Sequence, residues 1–466
     1  MKYFYLFLLI HLKTLVFAQY LIADFGAIAD GKTLNSTAIQ AAIDTCFRRG
    51  GGKVIVPKGV FLTGTIVLKS GVNLHFTEGS VLLGSSRRED YQKNDWYALI
   101  LAKGQKNVKI TGKGVIDGQG QALAEDVVRL WKSGILKNVK PHNRPDENHR
   151  PQIIEMTDCQ DILIENVTIK NAACWVQTYH NCVDLIMNKI RVESTTYWNN
   201  DGIDIVDCKN VLIKNSFINS ADDGICLKSH DIKLRCENIK IARCTIRSSA
   251  SAFKIGTASY GGFKHIRVKN LYIYDTYRSA IALECVDGGV LEDVRIKNII
   301  AKNTGNALFI RLGNRRDNKN GNKSTIKNIF IKNIKADIPK EKPDKGYPIE
   351  GPLPDSVSNL LPSSIVGLPD NPIKNVYLKN IDITFGGGGK PLKNTQKVPE
   401  LPKEYPEFSM FGELPAWGFY LRHTEGVHFK RIKLHLKELD YRGAIVQDDA
   451  LKTNLKRIKI NKYFLF

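Results

Sequence analysis

The stretch Trp198-Asn-Asn-Asp-Gly-Ile-Asp-Ile205 has an echo in Ser220-Ala-Asp-Asp-Gly-Ile-Cys-Leu227. Aligning the two Asp-Gly-Ile triplets puts Asp201 beside Asp223, with Asp222 next to both. If the two segments pair as neighbouring strands in this register, equivalent residues lie about 4.8 Å apart. Three carboxylates would then meet on one surface. Folding does not need such a cluster, because like charges repel and the pKa of at least one carboxyl rises.

The spacing of the two segments belongs to a repeat that continues along the chain. Equivalent apolar positions recur at intervals of 23, 26, 28 and 27 residues: Ile162, Leu185, Val211, Ile239 and Ile266. Each lies in a unit of the form Asn-apolar-X-apolar, as in Asn210-Val-Leu-Ile-Lys-Asn and Asn328-Ile-Phe-Ile-Lys-Asn. A fixed period without intervening helices predicts stacked coils that share one apolar core. We therefore predict an all-β fold, a single-stranded right-handed parallel β-helix.

An early helix and three insertions interrupt the strand pattern. Residues 35–49 predict an amphipathic helix that caps the open end of the solenoid, with Asn35 or Ser36 as its N-cap. Its predicted packed face is Ala38, Ala41, Ala42, Thr45 and Cys46. The predicted insertions are 119–150, which includes a helix over 122–131, then 338–372 and 386–415. Insertions of this length usually have a function or are disordered.

The N-terminus predicts export. Lys2 and the apolar run Tyr3–Ile10 precede Val16-Phe17-Ala18, so residues 1–18 resemble a secretory signal peptide and 19–466 form the mature β-helix domain. No apolar run is long enough to span a membrane. We expect a periplasmic or extracellular location. The chain has nine cysteines, an odd number, so at least one thiol should be free.

The formal net charge of +21 at pH 7 favours a polyanionic partner. Nucleic acid is not expected, because the sequence has no basic block, zinc-finger spacing or RNA-binding aromatic signature. An acidic polysaccharide is therefore the expected polyanionic partner. Most of the lysines are nevertheless expected to be ordinary solvated residues at turns. We expect a monomer and no cofactor or metal.

The repeat register gives three columns of residues on one face. They are Asp201, Asp223, Ser251, Ser279 and Asn306; Asp204, Cys226, Lys254, Ala282 and Phe309; and Val206, Lys228, Gly256, Glu284 and Arg311. An acid and a base side by side are what hydrolysis of a glycosidic bond requires. Basic side chains on this face, Lys228, Lys254, Arg278 and Arg311, are expected to hold a sugar carboxylate. Trp198 and Tyr260 are expected to stack on sugar rings.

These segments resemble glycoside hydrolase family 28, the polygalacturonase family of right-handed parallel β-helices. The resemblance covers roughly Ile22 to the last coils. The family's Asn-Thr-Asp-Gly motif falls on Asn199-Asn200-Asp201-Gly202, and its Asp-Asp pair falls on Asp222 and Asp223. The resemblance implies Asp222 as general acid, with Asp201 and Asp223 holding and deprotonating the attacking water. It also implies inversion at the anomeric centre. Asn200, Ser251 and Glu284 are further candidate substrate-binding residues on this face.

Two family motifs are replaced. Ala250-Ser251-Ala252 stands where the family has Gly-His-Gly, and Ala282-Leu283-Glu284 stands where it has Arg-Ile-Lys. A glutamate would repel a uronate where the family lysine holds one. The sequence therefore leaves two substrates open, galacturonan and a rhamnogalacturonan type with a neutral sugar beside Glu284. Glu284 is also a candidate for a catalytic role of its own.

Two other functions are compatible with the sequence. A pectate lyase-type β-helix would cleave by β-elimination, with the three aspartates binding Ca²⁺. A non-catalytic carbohydrate-binding or adhesive β-helix would explain the missing histidine and lysine.

Overall fold

The computed structural model describes residues 18–137, 145–316, 321–343, 346–347, 359–390 and 397–462. Apart from Ala18, the predicted signal peptide lies outside the described residues.

Strands dominate the described chain, with helices α1 (Ser36–Arg48) and α2 (Gly120–Lys132). The first ten strands are β1 Gln19–Leu21, β2 Gly52–Val56, β3 Gly59–Thr63, β4 Ile66–Val67, β5 Val72–Phe76, β6 Ser80–Gly84, β7 Gln92–Lys93, β8 Tyr97–Lys103, β9 Lys106–Gly112 and β10 Val115–Asp117. The middle strands are β11 Gln152–Thr157, β12 Gln160–Glu165, β13 Thr168–Lys170, β14 Gln177–His180, β15 Val183–Asn188, β16 Arg191–Ser194, β17 Ile203–Val206, β18 Lys209–Lys214, β19 Phe217–Ser220 and β20 Ile225–Ser229. The last are β21 Cys236–Ser248, β22 Phe253–Ser259, β23 Gly262–Cys285, β24 Val290–Leu312, β25 Thr325–Ile338, β26 Ser363–Val366, β27 Ile373–Phe385, β28 Ala416–Leu436, β29 Gly443–Leu451 and β30 Asn454–Lys462.

The strands form a parallel β-helix, as predicted. A middle coil has three short strands, for example β17, β18 and β19, and each pairs in parallel with its counterpart one coil later. In later coils consecutive strands join without a break. β23, for example, contains the second and third strands of one coil and the first strand of the next. Leu185 pairs with Val211, and Val211 with Ile239, which confirms the register of the repeat.

The repeated asparagines explain why the period is visible in the sequence. Asn270, Asn298, Asn333 and Asn380 all adopt left-handed backbone conformations, with φ between 56° and 58°. Asparagine tolerates this region better than most residues. The side-chain amides of Asn298, Asn333 and Asn380 also donate to the asparagine one coil earlier, at 2.8 to 2.9 Å. The turns therefore form a hydrogen-bonded ladder along the stack.

Alternate residues of each strand point into one continuous core. Ile203, Ile205, Ile225 and Leu227 are fully buried, as the predicted alternation requires. All nine cysteines are buried and none forms a disulfide, which confirms the expectation of a free thiol. No helix within the described ranges is long and apolar enough to cross a membrane.

Details of the helices and insertions differ from prediction. In α1 the buried face is Ile39, Ala42, Ile43 and Cys46, whereas Ala41 is exposed. The prediction is confirmed for Ala42 and Cys46 and wrong for Ala41. It followed the small residues and missed the larger isoleucines, which gain more from burial. The predicted insertion 338–372 contains strand β26, which pairs with β24 and β28. That stretch is therefore partly a coil of the solenoid.

Candidate active site

The two Asp-Gly pairs lie at the same corner of adjacent coils, just before the first strands β17 and β20. The Gly202 N–H donates to the Asp223 carbonyl at 2.8 Å. A Cβ at Gly202 would lie 2.6 Å from the Gly224 carbonyl oxygen. Glycine is needed here because any side chain would push the two coils apart. The close approach keeps the two aspartate segments in register, as the sequence predicts.

Asp201, Asp222 and Asp223 form the aspartate cluster. One carboxylate oxygen from each lies within 4.8 Å of the others. Asp201 and Asp223 are 4% and 3% exposed, whereas Asp222 is only half-buried. Asp222 is thus the member most accessible from outside.

Two buried lysines occupy the spaces between the acids. Lys228 Nζ lies 2.9 Å from Asp201 Oδ2 and also contacts Asp204. Lys254 Nζ lies 3.0 Å from Asp223 Oδ2 and 3.9 Å from Glu284 Oε2. A buried charge needs a partner of opposite sign, and these contacts provide one for each lysine.

The surroundings of Asp222 and Asp223 shift the pKa values of these two adjacent carboxyls in opposite directions. Burial, together with the neighbouring charge of Asp223, raises the pKa of Asp222 above its ordinary value. Burial alone would also raise the pKa of Asp223. Lys254, Lys228 and Arg278 outweigh it and hold that pKa below its ordinary value. Asp222 is therefore suited to carry a proton and Asp223 to accept one.

The remaining acids of this face bind protons more readily than usual. Burial raises the pKa of Asp201 well above its ordinary value and that of Asp204 to about 6, although Lys228 opposes both shifts. Burial also raises the pKa of Glu284 to about 7. Glu284 Oε2 accepts a hydrogen bond from the Thr257 hydroxyl at 2.9 Å. The lysines and acids of this face thus form one coupled network.

Hydrogen bonds orient Asp222. Its Oδ1 accepts from the Asp223 backbone N–H at 2.9 Å, and Asn199 Nδ2 lies 3.4 Å from its Oδ2. Asn199 is itself held by Arg150, whose Nη2 donates to Asn199 Oδ1 at 2.8 Å. Arg150 is buried and also donates to the Trp198 carbonyl. The arginine thereby fixes the turn that presents the cluster.

Asn200 has a different place from the one predicted. It is fully buried; its amide oxygen accepts from the Ser194 hydroxyl, and its amide nitrogen donates to the Cys174 carbonyl. These contacts give Asn200 a structural role beneath the cluster in place of a contact with substrate. Ser251 contributes its backbone, because its N–H donates to Asp223 Oδ1 at 3.0 Å.

Residues 397–415, here termed the covering segment, pack on the same sheet beyond Lys254. Phe408, Phe411 and Leu414 cluster with outward-facing residues of the later coils, among them Ala282 and Phe309. Arg311 is buried beneath the segment and donates to the carbonyls of Gly367, Glu400 and Leu401. Arg311 therefore anchors the segment in place of the predicted contact with a sugar carboxylate.

Arg278 also faces the covering segment. Its Nε lies 2.8 Å from Glu407 Oε1, an ion pair that raises the Arg278 pKa despite burial. On the exposed side of the segment, the Tyr405 hydroxyl accepts from Lys254 Nζ at 3.1 Å. The segment thus supplies two side chains to the surroundings of the cluster.

The predicted aromatic residues lie on different sides of the cluster. Trp198 is half-buried in the turn that leads to Asp201. The Tyr260 hydroxyl accepts from Arg316 at 2.6 Å, at the far end of the first strand. Trp175, which was not predicted, has its ring centroid 4.5 Å from Lys228 Nζ.

Two groups of side chains have the donor atoms for a metal ion: Asp201 with Asp204 and Cys226, and the aspartate cluster. In both groups a lysine ammonium already lies against the carboxylates. Ammonium groups fill the role that a cation would have, so this donor set does not fit Ca²⁺ well.

Comparison with known proteins identifies the family. The model of Glycosyl hydrolases family 28 matches residues 46–344, which is more than half of the chain. The chain is a family 28 glycosyl hydrolase. This confirms the resemblance found in the motifs around Asp201 and Asp223, and with it the assignment as an enzyme.

Relatives of this hydrolase include two curated proteins. An exo-poly-alpha-D-galacturonosidase of Dickeya chrysanthemi is 28% identical over 249 residues, 44% of this chain and 41% of that protein. A probable polygalacturonase of Vitis vinifera is 25% identical over 410 residues, 79% of this chain and 75% of that protein. A solved hyperthermoactive exopolygalacturonase from Thermotoga maritima has a TM-score of 0.60 and 25% identity, covering 79% of this chain and 87% of its own.

Several residues around the cluster were not among the predicted site residues of the hydrolase. Asp204 had a signal, because it occupies an outward strand position three residues after Asp201. For Trp175 the signal was its position one coil before Asp201. The hydrogen bond from the Val176 N–H to the Asp201 carbonyl shows this relation in the structure. Tyr405 and Glu407 had none, because they lie in an insertion outside the repeat.

Proposed function

We propose that the hydrolase is an exported inverting glycosidase that acts on a pectic polysaccharide or oligosaccharide. One observation carries the acid–base chemistry of hydrolysis: three aspartates meet within 4.8 Å, and two adjacent ones have opposite pKa shifts. Inversion rests on the resemblance of the motifs around Asp201 and Asp222 to the family. Asp222 protonates the leaving-group oxygen, while Asp223 deprotonates the attacking water, which Asp201 helps to hold. Export rests on the signal-like sequence of residues 1–18.

The relatives, a galacturonosidase and a polygalacturonase, support a galacturonan-type substrate. Beside the aspartate cluster, however, three cations already have acidic partners: Lys228 pairs with Asp201, Lys254 with Asp223, and Arg278 with Glu407. A uronate would have to compete with these carboxylates, and Glu284 would repel it when ionised. The charge balance favours a neutral sugar beside Glu284, as in rhamnogalacturonan.

The covering segment supports attack near a chain end. It buries the outward face of the coils from Ala282 onward, on the C-terminal side of the cluster. A polysaccharide bound at Asp222 would have open coils on one side only. We therefore propose exo action or action on short oligosaccharides.

The test is cleavage of a panel of defined pectic oligosaccharides, followed by chromatography of the products. We expect single-residue or short products from one chain end. Replacing Asp222 by Asn should lower kcat by about 10²–10⁴-fold with folding intact, whereas Asp231→Asn, at an exposed position, should change nothing. Near wild-type turnover by the Asp222 variant would end the assignment.

The oligosaccharide assay also distinguishes the proposed hydrolase from a lyase and from a non-catalytic carbohydrate-binding protein. A lyase would give an unsaturated product that absorbs in the ultraviolet, and a chelator would abolish its activity. A carbohydrate-binding protein would bind the oligosaccharides in calorimetry and release no reducing ends.

A further inference from the structure

A straight column of lysines runs along the second strands of the later coils. Its members, here termed the lysine column, are Lys269, Lys297, Lys332, Lys379, Lys430 and Lys456, each paired in register with the next. Strands in a sheet are about 4.8 Å apart, so the column presents one ammonium group at that interval over six coils. The aspartate cluster lies elsewhere, at the corner before the first strands.

The column has no internal counter-charge. Among the described residues, none of its ammonium groups lies within ion-pair distance of a carboxylate, whereas the nearby Lys264 and Lys327 both pair with Glu292. Arg431, Lys332 and Lys430 lower the pKa of Lys379 through like-charge repulsion. All members except Lys379 are exposed, and Lys379 is half-exposed.

The coil itself does not require these lysines. In the preceding coils the same position holds Thr111, Glu165, Asn188, Lys214 and Ala242. Like charges directly opposite each other on neighbouring strands are destabilising. A run of six is therefore costly to folding, and an external anion would relieve the repulsion.

The neighbouring columns extend the positive surface. Lys240, Arg267 and Arg295 stand beside the first part of the lysine column and, with Lys269 and Lys297, line a groove of about 740 Å³. Asp293 pairs with both arginines and offsets part of this charge, so the lysines carry most of the positive charge of the groove. Beside the later part lie Phe330, Tyr377 and His428, with ring centroids 4.9 and 4.6 Å apart in a parallel stack. This stack is uncharged, so it adds no carboxylate to neutralise the lysines.

We propose that the lysine column is a second, non-catalytic binding surface for a linear acidic polysaccharide. A straight line of cations at an even spacing matches an extended polymer with one carboxylate on each sugar. Single-stranded nucleic acid fits less well, because base binding needs open aromatic faces and the faces of Tyr377 are covered by its neighbours. This inference rests on the proposed function for the source of the polyanion, and it would keep the enzyme on its polymeric substrate.

The test uses the triple variant Lys332→Gln, Lys379→Gln, Lys430→Gln in the full-length chain. The matched control is Lys32→Gln, Lys58→Gln, Lys106→Gln, which removes the same charge from exposed positions outside the column. Both are made in an Asp222→Asn background, to prevent cleavage, and their affinity for polygalacturonate is measured at low and high salt. We expect about tenfold weaker binding for the column variant and little change for the control.

Three outcomes would overturn the proposal: equal binding by both variants, equal binding to fully methyl-esterified pectin, or tighter binding of single-stranded DNA or anionic vesicles than of polygalacturonate. In the active background, kcat/KM on a short oligosaccharide should be the same for both variants, while KM on polymer should rise only for the column variant. Binding through the column without cleavage by the unmodified chain would instead contradict the proposed function. The two failures are therefore distinguishable.

Discussion

Lys254 Nζ lies 3.0 Å from Asp223 Oδ2, with both side chains nearly inaccessible to solvent. The pair keeps Asp223 ionised beside Asp222, which burial drives toward its protonated form. Two adjacent aspartates of the same chemical type thus acquire opposite roles from their surroundings. The lysine comes from the coil that follows Asp223, in the position where the repeat predicted it.

Replacing Lys254 by Met should shift the acid limb of the kcat/KM profile to higher pH. The reason is that Asp223 loses the ammonium group that lowers its pKa and then protonates before it can act as base. At pH 5 we expect kcat/KM to fall by about tenfold or more. The measurement is kcat/KM against pH on a defined oligosaccharide. Lys254→Arg should restore the profile, and Lys32→Met, at an exposed position outside the lysine column, should not alter it. An unshifted acid limb in Lys254→Met would contradict the assignment of Asp223.

Glu284→Gln should change how stability depends on pH. The folded-state pKa of Glu284 is about 7, above the ordinary value of 4.5. A carboxyl with a raised folded pKa stabilises the fold fully below its unfolded pKa, and this contribution is lost as pH rises toward 7. The wild-type free energy of unfolding should therefore fall relative to that of Glu284→Gln between pH 4.5 and 7, by up to about 3 kcal/mol.

Urea unfolding at several pH values would measure the difference. Glu78→Gln is the matched control, because the Glu78 carboxylate is exposed and pairs only with exposed Lys113. Parallel curves for the wild type and Glu284→Gln would show that Glu284 titrates normally in the folded state.

The anomeric configuration of the first product decides the stereochemistry. The carboxylate oxygens of the cluster approach within 4.8 Å, which is closer than the roughly 6.5–9.5 Å typical of carboxyl pairs in inverting enzymes. Spacing alone therefore does not favour inversion, and the expectation of an inverted product comes from the family. Proton NMR recorded in the first minutes of hydrolysis would detect it. A retained configuration would reassign one aspartate as a nucleophile.

Removing the covering segment should expose the cluster. Replacing 397–415 by a short Gly-Ser linker takes away Glu407 and Tyr405 and uncovers Ala282 and Phe309. We expect faster hydrogen exchange in residues 198–229 and a product distribution shifted from chain-end to internal cleavage. Mass spectrometry and product chromatography measure the two effects.

A milder variant guards against misfolding of the deletion. Arg311→Gln removes the donors to Glu400 and Leu401 and should raise exchange within the segment first. Unchanged exchange at 198–229 in the deletion variant would refute a role of the segment as a wall.

The coil architecture could be predicted because its physical cause is local and repeated. Asparagine in the left-handed turns and alternate apolar residues in the strands recur once in every coil, so a register read from Ile162 to Ile266 also places Asp201, Asp223, Lys254 and Glu284 correctly. Strand β26 was not predicted because it has only four residues, Ser363–Val366, and lies in a proline-rich stretch that lacks the Asn-apolar-X-apolar unit.

The repeat does not predict the contacts between the insertions and the coils. Arg311 was expected to face a sugar, but its partners are backbone carbonyls almost 90 residues later in the sequence. Asn200 was expected to contact substrate, yet its amide is taken up by Ser194 and by the Cys174 carbonyl one coil earlier. The repeat gives the position of each residue, but it does not show which side chains are already satisfied within the protein.

The nine cysteine thiols buried among the coils have a practical consequence for making the protein. No oxidative pairing has to occur before the solenoid can close, so the chain should reach its native state equally well under strongly reducing conditions. Production in an ordinary bacterial cytosol should then yield active material without any isomerase or refolding step.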